Sequence, residues 1–323
     1  MVYKRYTSKY VSDMLRVCRA NRFVGVIMLP VDVIVYGNFY GWFGGGTTGA
    51  YHDIIDRITL TDDTTNAIDR CDLTVGRSHL AAFADNTYGW FGGGTIGAYL
   101  NIVDRIILAN DTANAIDRCD LSTSRYGLAA FTDDTYGWFG GGVVANNVDR
   151  IILANDTVNA IDRCDLIGYR YNIAAFTDNT YGWFGGGIIY AGTAKYDVID
   201  RITLADDTTN AIDRCDLTVA RDGLAAFTDL TYGWFGGGLA AVYRTKCVDR
   251  ITLANDTVNA IYRCDRSIAR EGVAAFTDDT YGWFGGGNGD DDTIDRITLA
   301  DDTTNAIDRC NLTVGREATA AFH

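Results

Sequence analysis

Two sets of residues in this 323-residue chain recur or vary in ways that could do chemistry. The first is a series of arginines, Arg77, Arg125, Arg170, Arg221, Arg270 and Arg316, one for each of six near-copies of a single unit. Ringed around an opening, their guanidiniums would attract carboxylates or acidic sugars, because each presents a planar fork of donors. In the alternative arrangement each arginine bonds to loop carbonyls and to an aspartate of the next unit. The second set lies where the copies differ: Tyr51, His52, Tyr99, Tyr190, Lys195, Tyr196, Tyr243, Arg244 and Lys246. Tyrosine and arginine are favoured at interfaces, where they supply contact area and hydrogen bonds together. Both sets are candidate ligand-binding residues.

Catalytic signatures are absent from the sequence. The three histidines, His52, His79 and His323, have no metal-ligand spacing, and no C-x-x-C pair occurs. There is no nucleophile elbow, P-loop or dinucleotide fingerprint. Hydrolysis of a glycosidic bond needs two carboxyls in different environments. Here nearly every acid is an aspartate that recurs in each copy, and glutamate occurs only at Glu271 and Glu317. The expectation is therefore a protein that is not an enzyme and has no catalytic residue, cofactor or metal. The repeated NDT and DDT segments could hold calcium weakly, but aspartate there more commonly closes a turn onto its own backbone. The cluster Asp290–Asp292 is the least repetitive acidic spot.

The element that positions these residues is YGWFGGG. It begins at Tyr40, Tyr88, Tyr136, Tyr181, Tyr232 and Tyr281, in steps of 48, 48, 45, 51 and 49 residues. Aromatic residues suit a half-buried strand, and the glycines let the backbone bend or pass where a Cβ would clash. Each copy reads as four short strands, as in Leu80–Phe83 (A), Tyr88–Phe91 (B), Asp104–Ala109 (C) and Ala115–Leu121 (D). Four strands in a repeat of this length is the pattern of a β-propeller blade. The paired alanines of strand A, Ala81-Ala82 and their equivalents, fit an innermost position where blades crowd the axis. The repeats start at strand B and stop at strand A, so Ala318–Phe322 would complete the first blade and close the ring. Val31–Tyr36 competes for that slot, but its sequence is less like the other A strands.

Length variation is confined to one connection. Between the last glycine of YGWFGGG and the Asp of the following Asp-Arg pair stand 9, 9, 6, 12, 10 and 7 residues. Removing these from the repeat steps leaves 39 residues every time. Strands B and D run the same way, so the B–C loops and the arginine-bearing D–A connections should share one face. The A–B and C–D turns should share the other, uniform and rich in aspartate. Loops on a rigid scaffold are where binding surfaces usually lie, although free drift of loops would look similar. With the C–D hairpin centred on Asp63, Asp56 should face Arg70 and Arg57 should face Asp69. In the fifth copy Tyr262 replaces that aspartate, which should cost Arg250 a partner.

Charge and cysteine limit the partners. The formal net charge is −14, which argues against a nucleic-acid binder, since phosphate contacts need clustered Lys and Arg. Residues 1–39 differ from the rest, at +4 against −18 for the repeats, and read as a basic arm or cap. Their apolar stretch, Phe23–Gly37, is broken by Pro30 and Asp32 and is too short to span a membrane. Six of the eight cysteines recur once per copy and read as small buried hydrophobes. Free thiols suit folding in a reducing cytoplasm.

An arginine before an apolar strand, an aromatic strand ending in glycines, and a strand leading into an Asp turn resemble the kelch repeat over residues 40–323. Strand D departs from that pattern, with Ile-Asp-Arg-Cys where kelch units usually carry Trp. The resemblance implies an all-β, six-bladed kelch-like β-propeller, four strands per blade, closed by the C-terminal strand. The YGWFGGG…DRI…NDT form is also similar to propeller-containing virion proteins of marine bacteriophages. That implies a non-enzymatic tail or fibre component of a virion or cell-surface assembly. It would present its variable face to a host glycan or protein and dock to other assembly proteins through residues 1–39. The alternatives are a glycan-processing enzyme on the same scaffold and a purely structural assembly module.

Overall fold

A computed structural model describes residues 40–189, 194–278 and 280–323. These form six four-stranded antiparallel sheets arranged as the blades of a propeller. In the second blade the strands are Ala81–Ala84, Tyr88–Gly92, Ile102–Ile107 and Ile116–Asp120, hydrogen-bonded in that order. A single 3₁₀ turn, Leu108–Asn110, links the last two. The first blade is composite. Its inner strand is Ala320–Phe322, paired with Tyr40–Gly44 so that Trp42 faces Phe322. The slot is thus filled from the C-terminus, so the last strand of the chain pairs with the first described one and closes the ring. Val31–Tyr36 and the basic arm lie outside the described residues.

The core sits between blades. One cluster joins Phe83, Trp90 and Cys119 of the second blade to Phe139 and Ile151 of the third, and five like it complete the circuit. Phe83 stacks on Trp90 in its own sheet and tilts against Phe139 of the next. The glycines of YGWFGGG are what this packing demands. A Cβ at Gly89 would lie 2.1 Å from the Phe322 ring, and one at Gly92 would lie 2.3 Å from the Phe139 ring. Each B strand therefore receives a phenylalanine from both neighbours. Burying such a ring contributes about 1.5–3 kcal/mol. The repeated cysteines belong to these clusters, are free and buried, and burial pushes Cys71 and its five equivalents up to about 12.

The C–D register differs from the sequence expectation. Asp56 stands opposite Asp69, and Arg57 opposite Ile68, because a bulge between Ile55 and Asp56 shifts the ladder. The same irregularity recurs at the other C–D pairs. The arginines are instead spent between blades. Arg57 and Arg70 both bond Asp111, in the C–D turn of the next blade, at 2.8 and 2.7 Å. Asp156, Asp207, Asp256 and Asp302 each hold the two arginines of the preceding blade in the same way. Asp63 closes the ring by holding Arg296 and Arg309. Arg250 keeps its partner, Asp302, so Tyr262 costs it nothing.

Candidate binding face

The six repeated arginines do not present their guanidiniums to solvent. Arg77, Arg125, Arg221 and Arg316 are fully buried, and Arg170 and Arg270 very nearly so. Each pairs with the aspartate that opens the Asp-Arg step of the next blade: Arg77 with Asp104 at 3.0 Å, Arg170 with Asp200 at 2.7 Å, Arg316 with Asp56 at 2.9 Å. Five also donate to a strand B carbonyl, as Arg77 does to Phe91 and Arg316 to Phe43, while Arg270 donates to the Gly286 and Thr293 carbonyls. This is the bonded arrangement, in which arginine fastens each D–A connection to the following blade. A strand's alternation sends consecutive residues to opposite faces. The buried Asp104 therefore meets Arg77, while its neighbour Arg105 reaches Asp156 on the other side.

The residue after each arginine faces the loops. These are Ser78, Tyr126, Tyr171, Asp222, Glu271 and Glu317, and each pairs through its backbone with the first residue of a B–C loop. Thus Glu317 and Thr47 exchange two bonds of 3.0 and 3.1 Å, and Asn288 donates to Glu271 at 2.9 Å. The B–C loops and D–A connections are zipped together on one face.

The next residue along forms a collar around the axis. His79, Gly127, Asn172, Gly223, Gly272 and Ala318 all have left-handed backbones, with φ between 54° and 67°. Gly127 donates to the carbonyl of His79, Asn172 to Gly127, Gly223 to Asn172, Gly272 to Gly223, Ala318 to Gly272 and His79 to Ala318. The N–H···O distances run from 2.6 to 2.9 Å, and the circle is closed. Sequence reading missed this collar. The signal was the Gly, Gly, Gly, Asn, His, Ala series two places after each arginine, since Gly and Asn tolerate φ > 0.

A cavity of about 280 Å³ opens at the collar, lined by its members, by the aliphatic residues that follow them, and by Asn288, Glu271 and Glu317. A smaller one, about 100 Å³, continues along the axis between the paired alanines of the inner strands. The mouth is chemically lopsided. Tyr99, Tyr126, Tyr171 and His79 make a chain of ring contacts 5.0–5.8 Å apart on one side. Asp222, Glu271 and Glu317 stand on the other. Burial pulls His79 down to about 4, so its ring is neutral near pH 7. Burial also raises Glu271 above its ordinary value, against the lowering charge of Arg244.

The loop candidates divide into two groups. Tyr51, Tyr99, Tyr243, Arg244 and Lys246 are exposed, and His52 and Tyr196 half-buried. Several are tied to their own face. His52 bonds Thr48, Lys195 bonds Asp222 and the Leu239 carbonyl, Arg244 bonds Glu271 and Lys246 bonds the Ser267 carbonyl. Tyr190 lies outside the described residues. Of the acidic spot in the last loop, Asp291 is committed to Arg270 at 2.9 Å.

The opposite face is built of turns. Asp85 accepts from the N–H of Thr87 and of Tyr88, and from the Trp90 indole. The first Asp of the C–D turn takes a threonine hydroxyl, as Asp62 does from Thr65, while the second is the arginine clamp. Among the described residues no three His, Cys, Asp or Glu side chains converge as metal ligands, and no helix is long and apolar enough to cross a membrane. No protein-family model matches this chain, and a search of curated proteins finds no match.

Proposed function

We propose that the propeller is a non-enzymatic binding module of a virion, in a tail or fibre, presenting its loop face to a host glycan or protein while residues 1–39 dock it to the assembly. One observation carries the reading: loop length, loop sequence and rim chemistry all vary on one face of a frame that is otherwise the same six times. A scaffold whose arginines and aspartates are consumed in holding blades together leaves recognition to that face. The likeness of YGWFGGG…DRI…NDT to phage virion propellers supports the setting.

The test is a loop exchange. Replacing residues 239–248, which hold the exposed Tyr243 and Arg244, by the shorter 143–148 segment should abolish retention on a purified host envelope fraction and leave the melting temperature within a few degrees. Retention unchanged by exchange of every loop, with incorporation lost on deleting residues 1–39, would replace this reading by a purely structural module. Turnover of a glycan substrate that Glu271→Gln abolishes would replace it by an enzyme.

A further inference from the structure

We propose that the axial cavity is a socket for a primary ammonium, that of a lysine side chain projecting from a partner protein, with Glu317 and Glu271 as its counter-charges. The proposal rests on the loop face being the binding face, and it names the chemistry at that face's centre.

The cavity's side-chain donors are the Asn172 and Asn288 amides, the Thr319 hydroxyl and the His79 ring, all neutral, whereas its charged groups are the acceptors Glu271 and Glu317. Every collar N–H is consumed in the closed circle, so none is free to hold an anion. Each collar carbonyl accepts one of those bonds and keeps a second lone pair. Glu271 and Glu317 immediately precede the collar residues Gly272 and Ala318, so both carboxylates belong to adjacent stations of the same ring, and both line the cavity. An ammonium has three donors and no acceptor, and it suits such a ring better than a neutral hydroxyl does.

The local charges do not balance. Of the three rim carboxylates, Asp222 is held by Lys195 and by the Asn172 amide, and Glu271 shares one oxygen with the exposed Arg244. The Glu317 carboxylate has no hydrogen-bond or ion-pair partner among the described residues. The nearest arginine in the chain, Arg316, is spent on the buried Asp56 and on backbone carbonyls. His79 adds no positive charge near pH 7. The aliphatic residues behind the collar, Leu80, Leu128, Ile173, Leu224 and Val273, supply the apolar part of a mostly polar lining, where methylenes can rest.

The experiment is a methyl-detected NMR titration of the full chain, following Ala318, Thr319 and Val273. The probes are Nα-acetyl-lysine methylamide, its Nε-acetylated form, and glucosamine. The charged lysine probe should shift these methyls saturably and the acetylated one should not. Replacing both Glu271→Gln and Glu317→Gln should raise Kd at least about tenfold, the factor one charge-assisted hydrogen bond carries. Thermal stability should be unchanged. Silence at these methyls, an equal response to the acetylated probe, or binding indifferent to the double substitution would overturn the socket. A response to glucosamine alone would overturn the lysine assignment. Loss of the socket alongside loop-dependent envelope retention would sink this inference and leave the proposed function standing.

Discussion

Consecutive residues in the D–A connection obey opposite rules. The arginine is the same in all six copies, buried, and bonded to an aspartate of the next blade. Its neighbour runs Ser, Tyr, Tyr, Asp, Glu, Glu around the ring. The arginine has a fixed partner at a fixed distance inside the frame, so every copy needs it. The neighbour is joined to the loop through its backbone, which any side chain permits, and its side chain meets a different partner from copy to copy, as Asp222 meets Lys195 and Glu271 meets Arg244. Symmetry is therefore a property of what faces the blades, and asymmetry of what faces the mouth.

The comparison breaks most visibly at the buried pairs. Arg125→Met would leave Asp149 fully buried and without its guanidinium, along with the Phe139 and Asn147 carbonyls that Arg125 now serves. Removing one partner of such a pair costs about 3–5 kcal/mol. Chemical denaturation should show that loss, and Tyr126→Ser one residue later should show a smaller one, about 0.5–1.5 kcal/mol for each ring contact it gives up with His79, Tyr99 and Tyr171.

An irregular position in the frame supplies the opposite sign. Leu73, Leu121, Leu166, Leu217 and Leu312 are buried equivalents, but the fifth blade carries Arg266 there, 1% exposed. It donates to the Arg270 carbonyl, while its Nε and Nη1 have no hydrogen-bond partner, and burial pulls it down to about 9. Arg266→Leu should stabilise the protein by about 1–4 kcal/mol, the range seen when buried charges yield to well-packed hydrophobes. No gain on denaturation would mean that Arg266 serves a need the other blades lack.

Between blades the clamps are smaller in effect because they are partly wet. Asp156 holds Arg105 and Arg118, whose side chains are 13% and 24% exposed. Burial pushes the Asp156 carboxyl up, but the hydrogen bond and charges of the two arginines outweigh it and hold it below its ordinary value. Its contribution is therefore fully present above the ordinary aspartate range and is lost as pH falls through the depressed value. Asp156→Asn should cost about 1–2 kcal/mol near pH 7, discounted for solvent screening. The gap from the parent should close as the pH approaches the strongly acidic end. A gap that persists there would assign the loss to packing.

Much of this frame could be read from the chain because six copies share it. The 39-residue constant, the alanine-rich inner strand and the closure by Ala320–Phe322 all follow from comparing repeats. What escaped has a common cause: partners distant in sequence. Arg57 and Asp111 are 54 residues apart and belong to different blades, so a hairpin drawn on paper pairs Arg57 locally and wrongly. The bulge before Asp56 adds one unpaired residue that no residue type announces. Burial of Arg77 was open because arginine alone does not say whether its aspartate lies inside or out. The first blade shows the complement. Its inner strand comes from the C-terminus, and Trp42 has a buried indole N–H without a partner among the described residues, where Trp90 has Asp85.

The smallest effect separates the collar from the rim that stands on it. At φ 55° Ala318 occupies a backbone region that costs an L-residue about 1–2 kcal/mol, while Gly223 and Gly272, at 64° and 66°, sit there freely. Ala318→Gly removes that strain but frees the unfolded chain, which returns roughly 0.4–1 kcal/mol. The net should be a stabilisation of about 0.5 kcal/mol by denaturation, with Gly223→Ala losing at least as much as the strain it introduces. Gly223→Ala would bring its Cβ to 3.3 Å from Glu271 Cβ, whereas Ala318→Gly only removes a methyl, so lysine-probe binding should hold in Ala318→Gly. If binding instead weakens with the strain relieved, the collar's fixed curvature is itself part of the recognition surface, and the boundary between frame and rim lies one residue further out than the side chains suggest.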